Sequence, residues 1–175
     1  MTHHGLLLVR PVLQCVSDFA EAVECEAVRW LAISAFIVAA DQITKHVVGL
    51  LVAEYEIVPC LGGLLSITNV RNFGAAFGVM QNARTMLITV AAATAVAGAY
   101  FLATLPRGAW VMRLGISLST GGALGNLIDR VRFGGVFDFL EVRPFPVFNL
   151  ADAAIVLGVA LILISVLFHP RAKEE

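Results

Sequence analysis

Three aspartates, Asp129, Asp138 and Asp152, fall inside one stretch, Gly121–Asp152, with Asn126, Asn149, Arg130, Arg132 and Arg143. The rest of the chain avoids charge, so this island needs a chemical reason. Two carboxyl groups within hydrogen-bond reach cannot easily both ionise. One pKa rises and the pair shares a proton. The ionised member takes a proton from water as that water attacks an amide carbonyl. The protonated member polarises the carbonyl and later passes a proton to the leaving nitrogen. Donors such as Asn126, Asn149 or Arg71 would steady the developing oxyanion. The residue types therefore point to hydrolysis of a peptide bond by an aspartate pair. The sequence leaves open which member holds the proton.

The three aspartates differ in their settings. Asp138 sits in the short apolar run Val136–Leu140 after Gly134-Gly135. A strand there turns Asp138 away from Phe137 and Phe139. Asp152 follows Asn149 by three residues where a helix begins; taken alone, it reads as a first-turn carboxylate favoured by the helix dipole, and only its convergence with a second carboxylate points to chemistry. Asp129 follows Asn126 by three and precedes Arg130, a pattern expected to close a helix end and brace the next loop. Asp41 and Lys45 are four apart on an apolar helix, so they share a face. That pair is either a structural ion pair or an organiser of the site.

The elements that position these groups are apolar. Of 175 residues, 59% are hydrophobic and 14% charged, and the mean hydropathy is +0.86. Soluble domains carry about 25% charged residues, so the chain reads as one integral membrane domain. A net charge of −1 offers no basic field for nucleic acid. A span needs about 20 apolar residues. Four segments approach this: Ala27–Val52, Thr85–Leu105, Trp110–Ile128 and Ala151–Phe168. Four spans put both termini on one side and bring Ala53–Arg84 and Asp129–Leu150 together on the other. Six basic residues lie on the terminal side (Arg10, Arg29, Arg107, Arg113, Arg171, Lys173) and five opposite (Arg71, Arg84, Arg130, Arg132, Arg143). By a narrow margin this favours cytoplasmic termini.

The run Leu64–Val70 is rich in β-formers and lies between Gly62-Gly63 and Arg71-Asn72, so a small sheet is expected at the membrane surface. Asn72–Met80 reads either as a segment whose small residues allow close backbone approach while its Phe and Met dip into lipid, or as an ordinary interfacial loop. Gly121 and Gly125 let a second helix approach closely. Before the first span, Leu13, Val16, Phe19, Val23 and Ala27 recur at helical spacing with Asp18, Glu21, Glu24 and Glu26 between them. This is either an amphipathic helix or an extension without fixed structure. Cys15, Cys25 and Cys60 have no metal-ligand spacing and suggest no disulfide framework. His46 and His169 are isolated. No HExxH, GxSxG, phosphate loop or dinucleotide fingerprint occurs.

Read together, these motifs resemble those of the lipoprotein signal peptidases (signal peptidase II). Asp41-Gln42-x-x-Lys45 is similar to the family's first-helix motif, and Arg71-Asn72-Phe73-Gly74-Ala75-Ala76-Phe77 to its RNxGAAF motif. Gly121–Arg130 matches GGAxGNLxDR. Val136–Phe139 and Phe148–Asp152 match the two segments that carry the family's catalytic aspartates. The resemblance spans about Trp30 to Phe168 and leaves out the N-terminal extension. It implies Asp138 and Asp152 as catalytic residues. It implies Asp41, Lys45, Asn72, Asn126, Asp129, Arg130 and Asn149 as supporting polar residues, beside which Arg71 is counted. The implied fold is all-α, with four transmembrane helices, a small extracytoplasmic β-cradle and an interfacial helix. The chain then divides into an extension (1–28), a membrane peptidase domain (29–170) and a cytoplasmic tail (171–175).

The implied substrate is a bacterial prolipoprotein already carrying diacylglycerol, cut just before its lipobox cysteine. Globomycin-type inhibitors, membrane lipid as surroundings, a monomeric state, no cofactor and no metal are further expectations. So is a cytoplasmic (inner) membrane location, with the site toward the outer face. The competing readings are a small proton-coupled transporter or channel using Asp41, Lys45, Asp138 and Asp152 as a relay, and a non-catalytic lipid-binding or scaffold protein.

Overall fold

A computed structural model describes residues 4–74 and 83–168, with side chains over 26–74 and 84–168. Helix α1 (His4–Leu51) leads into strand β1 (Ile57–Cys60), a 3₁₀ turn (Leu61–Gly63) and strand β2 (Leu65–Asn72). Helices α2 (Ala83–Thr104) and α3 (Trp110–Phe133), strand β3 (Val136–Glu141) and helix α4 (Leu150–Phe168) follow. The extension is helical from His4 and continuous with the first span. The stripe through Val23 carries side chains outside the described ones. The same holds for Cys15 and Cys25, while residues 75–80 of the expected interfacial segment, His169 and the tail lie outside the described residues. No interfacial helix is among the described elements.

Among the described residues, three helical segments are long and apolar enough to cross a membrane: Glu26–Leu51, Arg84–Thr104 and Leu150–Phe168. Helix α3 has the length but not the apolarity, and the packing gives the reason. It touches α1, α2 and α4, with α4 most extensively. Shielded by three neighbours, it buries Arg113, Ser117, Ser119, Thr120, Asn126 and Asp129. The other three helices turn large apolar side chains outward, such as Phe36, Leu50, Val96, Val156 and Leu167. Such exposure is disfavoured in water and suits contact with lipid.

The expected end of the third helix at Ile128 is corrected: α3 runs to Phe133. Asp129 and Arg130 therefore lie inside it. The outward residues Val131 to Phe133 continue the helix, and Gly134 stops it in the left-handed region (φ 81°), its N–H donating to Arg130 O. At the other end, the buried Arg113 donates to the carbonyls of Leu102, Leu105 and Pro106. It thereby satisfies the end of α2. The expected close approach at Gly121 and Gly125 is toward α1. A methyl group on Gly121 would lie 2.7 Å from Ser34 O, and one on Gly125 2.7 Å from Asp41 Oδ2.

The sheet is antiparallel in the order β1-β2-β3. Asn69 ties it to α1: its Nδ2 donates to Val52 O at 2.8 Å, and its carbonyl accepts from Tyr55 N. In the β2–β3 register Val70 pairs with Asp138 and Asn72 with Val136, with an irregularity between Ile67 and Val70. The chain segments on either side of α2 and α3 are thus joined at one end of the helices.

Candidate active site

The first turn of α4 organises the site. A helix N-terminus leaves backbone N–H groups without intrahelical partners. Here Asn149 Oδ1 accepts from Asp152 N at 2.9 Å, and Asp152 Oδ2 accepts from Asn149 N at 3.2 Å. This reciprocal pattern is a capping box with Asp in the third position. Asp41, from α1, accepts from the next free amide, Ala151 N, at 3.0 Å. The positive end of the α4 dipole thus faces two carboxylates.

With Asn149 Oδ1 committed to the backbone, its Nδ2 faces the other way. It donates to Asp138 Oδ1 at 2.7 Å and to Asn126 Oδ1 at 3.1 Å. Asn126 in turn donates through Nδ2 to Asp152 Oδ1 at 2.7 Å. Asp138 and Asp152, from β3 and α4, are therefore linked through two buried asparagines. Asn72 donates to the second oxygen of Asp138 at 3.0 Å. Every oxygen of the two carboxyl groups has an N–H donor.

Behind this pair lies a saturated ion cluster. Lys45 Nζ is 2.8 Å from Asp41 Oδ2, 2.8 Å from Asp129 Oδ2 and 3.2 Å from Asn126 Oδ1. An ammonium has three protons, and each finds an acceptor. Asp129 also accepts from Phe137 N at 3.2 Å, joining α3 to the start of β3. Gln42, one residue after Asp41, donates toward Asp41, Gly125 O and Asp129 Oδ1. It was absent from the sequence-derived site, although its place beside Asp41 was a signal. Arg130 donates to Asn126 O at 3.4 Å.

The structure thus brings together Asp41, Lys45, Asn72, Asn126, Asp129, Arg130, Asp138, Asn149 and Asp152. It does not bring Arg71 to the pair. Asn72 reaches Asp138, and its strand neighbour Arg71 projects to the opposite face, over the Phe133 ring.

Asp138 is 2% exposed. Burial pushes its pKa up to about 6, and the charge of Asp152 adds to the rise. Hydrogen bonds from Asn72 and Asn149 and the charge of Lys45 oppose it. Asp138 thus keeps a proton where an ordinary carboxyl group has lost it. Beside Asp152 opens an apolar groove of about 640 Å³, lined by Phe145, Pro146, Val147, Val156 and Leu157 among others. The charged groups gather at one end of the helices, in the later part of α1, late α3 and early α4. Among the described residues this cluster forms no line along the spans of the kind a proton relay needs.

Residues 33–168 match the family described as Signal peptidase (SPase) II. The lipoprotein signal peptidase of Moorella thermoacetica is 42% identical over 135 residues, covering 76% of this chain and 89% of that protein. That of Teredinibacter turnerae is 36% identical, covering 85% and 92%. A solved structure described as a bacterial membrane enzyme, obtained in meso at 1.9 Å, aligns with a TM-score of 0.75 and 34% identity. It covers 81% of this chain and 94% of that one.

Proposed function

Because the chain belongs to the signal peptidase II family, we propose that Asp138 and Asp152 form its aspartyl catalytic dyad. The protein is a membrane protease that removes signal peptides from prolipoproteins. The observation that carries the dyad is the link Asp138–Asn149–Asn126–Asp152, which joins two carboxyl groups from separate elements.

In this reading Asp138 is the proton holder and Asp152 the base. Asp152 takes a proton from water as the water oxygen bonds to the scissile carbonyl carbon. Asp138 hydrogen-bonds to the carbonyl oxygen and so favours the negative charge that develops there. The C–N bond then breaks, and the Asp138 proton goes to the leaving nitrogen. A proton returning from Asp152 to Asp138 resets the pair. Asn126 and Asn149 hold the carboxyl groups in register, and Arg130 adds positive charge that both carboxylates feel.

The substrate is a diacylglyceryl-prolipoprotein, cut just before the lipidated cysteine. The groove beside Asp152 supports this reading, since an apolar channel next to the base suits a greasy substrate. All four helices cross the cytoplasmic membrane, with α3 shielded by the rest, the termini cytoplasmic and the dyad toward the outer face. The test is mass analysis of the products from a purified diacylglyceryl-prolipoprotein. The released peptide is expected to end immediately before the lipidated cysteine, with or without a chelator. Cleavage elsewhere, or inactivation by the chelator, would remove this reading. Proton flux in liposomes without cleavage would favour the transporter.

A further inference from the structure

A second cavity, of about 370 Å³, borders the ion cluster, whose Gln42, Lys45 and Asp129 line it, and contains neither Asp138 nor Asp152 in its lining. Its walls are the end of α1 (His46, Leu50), β2 (Arg71) and the end of α3 (Arg132, Phe133). Two arginines line it. Arg71 lies 5.1 Å and Arg132 5.0 Å from the centre of the same Phe133 ring. Among the described residues neither has a carboxylate within ion-pair distance. The one carboxylate lining the cavity, Asp129, is already engaged by Lys45, Gln42 and Phe137 N. Two guanidinium groups at one cavity, neither paired with a carboxylate, favour an anion there. Guanidinium forks suit phosphate oxygens in particular.

The depth of the cavity narrows the choice of anion. His46 and Leu50 lie in the last two turns of a span that ends at Leu51. This is the level of lipid headgroups. Along the same α1 stripe, Ile43, Val47 and Leu50 are 61%, 44% and 71% exposed. A molecule seated here meets cations at the top and an uncovered apolar face below. We propose that this cavity is a binding site for an anionic phospholipid, with its phosphate bridging Arg71 and Arg132 and its chains along Ile43, Val47 and Leu50. Basic pockets between membrane helices hold headgroups in this way. The site is separate from the apolar groove beside Asp152, so lipid and substrate do not compete for it.

The test is native mass spectrometry of the full-length protein in detergent with equal amounts of dioleoylphosphatidylglycerol and dioleoylphosphatidylcholine. The unmutated protein should retain the anionic lipid over the zwitterionic one by roughly tenfold, as expected for two charge-assisted contacts. Arg71→Gln/Arg132→Gln should abolish that preference, while Arg143→Gln keeps it. Excess inorganic phosphate should not displace the lipid. An absent preference, or one unchanged in the double variant, would overturn the proposal. Displacement by inorganic phosphate would make this a free-anion site, and displacement by an unlipidated signal peptide a substrate site; either overturns it too. Should the double variant not fold, each single variant should still lower the preference, and two unaltered single variants would refute it.

Discussion

Lys45 sits 3.2 Å from Asn126 Oδ1 and thereby fixes which end of that amide faces Asp152. An ammonium can only donate, so Asn126 must present its oxygen to Lys45 and its NH₂ to the aspartate. A cation on α1 thus orients a donor on α3 toward a carboxylate on α4. Asn126→Ala removes this orientation without introducing charge. It is expected to lower kcat by roughly tenfold or more with KM little changed, the signature of a contact that matters in the transition state. An unchanged kcat would show that Asp152 needs no such positioning.

Lys45→Met leaves Asp41 and Asp129 buried without their shared cation. Removing one partner of a buried charge network typically costs about 3–5 kcal/mol. The melting temperature in detergent should fall markedly. A melting temperature equal to wild type would show that the cluster is not a stabilising element.

Gly121→Ala places a methyl group 2.7 Å from Ser34 O and 2.8 Å from Ile37 Cβ, atoms of the packed α1 surface. Overpacking of this kind costs about 1–3 kcal/mol. A melting curve should reveal it. Gly108→Ala, with nothing within 4 Å, serves as the control.

Asp138 titrates near pH 6 when folded, against 3.8 for the ordinary group. The native protein therefore binds more protons between these values. The stability this group contributes is present below pH 3.8 and is lost as pH rises toward about 6. The loss is at most about 3 kcal/mol. Asp138→Asn should flatten this part of the curve of melting temperature against pH.

The same group predicts the rate profile. If protonated Asp138 is the acid, kcat/KM falls as pH rises past about 6. Asn72 favours the ionised form through its bond to Oδ2, so Asn72→Ala should move that limb to higher pH, by up to about one unit. Movement to lower pH would mean that Asn72 acts on another group.

Much of the site was legible because it follows local rules. Asp41 and Lys45 share a face at i,i+4, and Asn149 and Asp152 fit a helix start. That Lys45 also binds Asp129 was not legible from spacing, since Asp129 comes from a different helix, although the resemblance already counted it among the supporting residues. Arg71 could have been separated from the dyad by strand alternation alone: if Asn72 faces Asp138, its neighbour cannot. The end of α3 was misjudged because Arg130 and Arg132 resemble loop residues, whereas Gly134 was the stop signal. Hydropathy along one helix cannot register shielding by three others, so the polar composition of α3 shows its meaning only in the packed fold.

The central claim is tested most directly by gel-shift cleavage of diacylglyceryl-prolipoprotein with purified wild type, Asp138→Asn and Asp152→Asn. Wild type should process the substrate. Each variant should lose roughly 10²- to 10⁴-fold in rate while melting as a folded protein. Full activity in either folded variant would contradict the dyad.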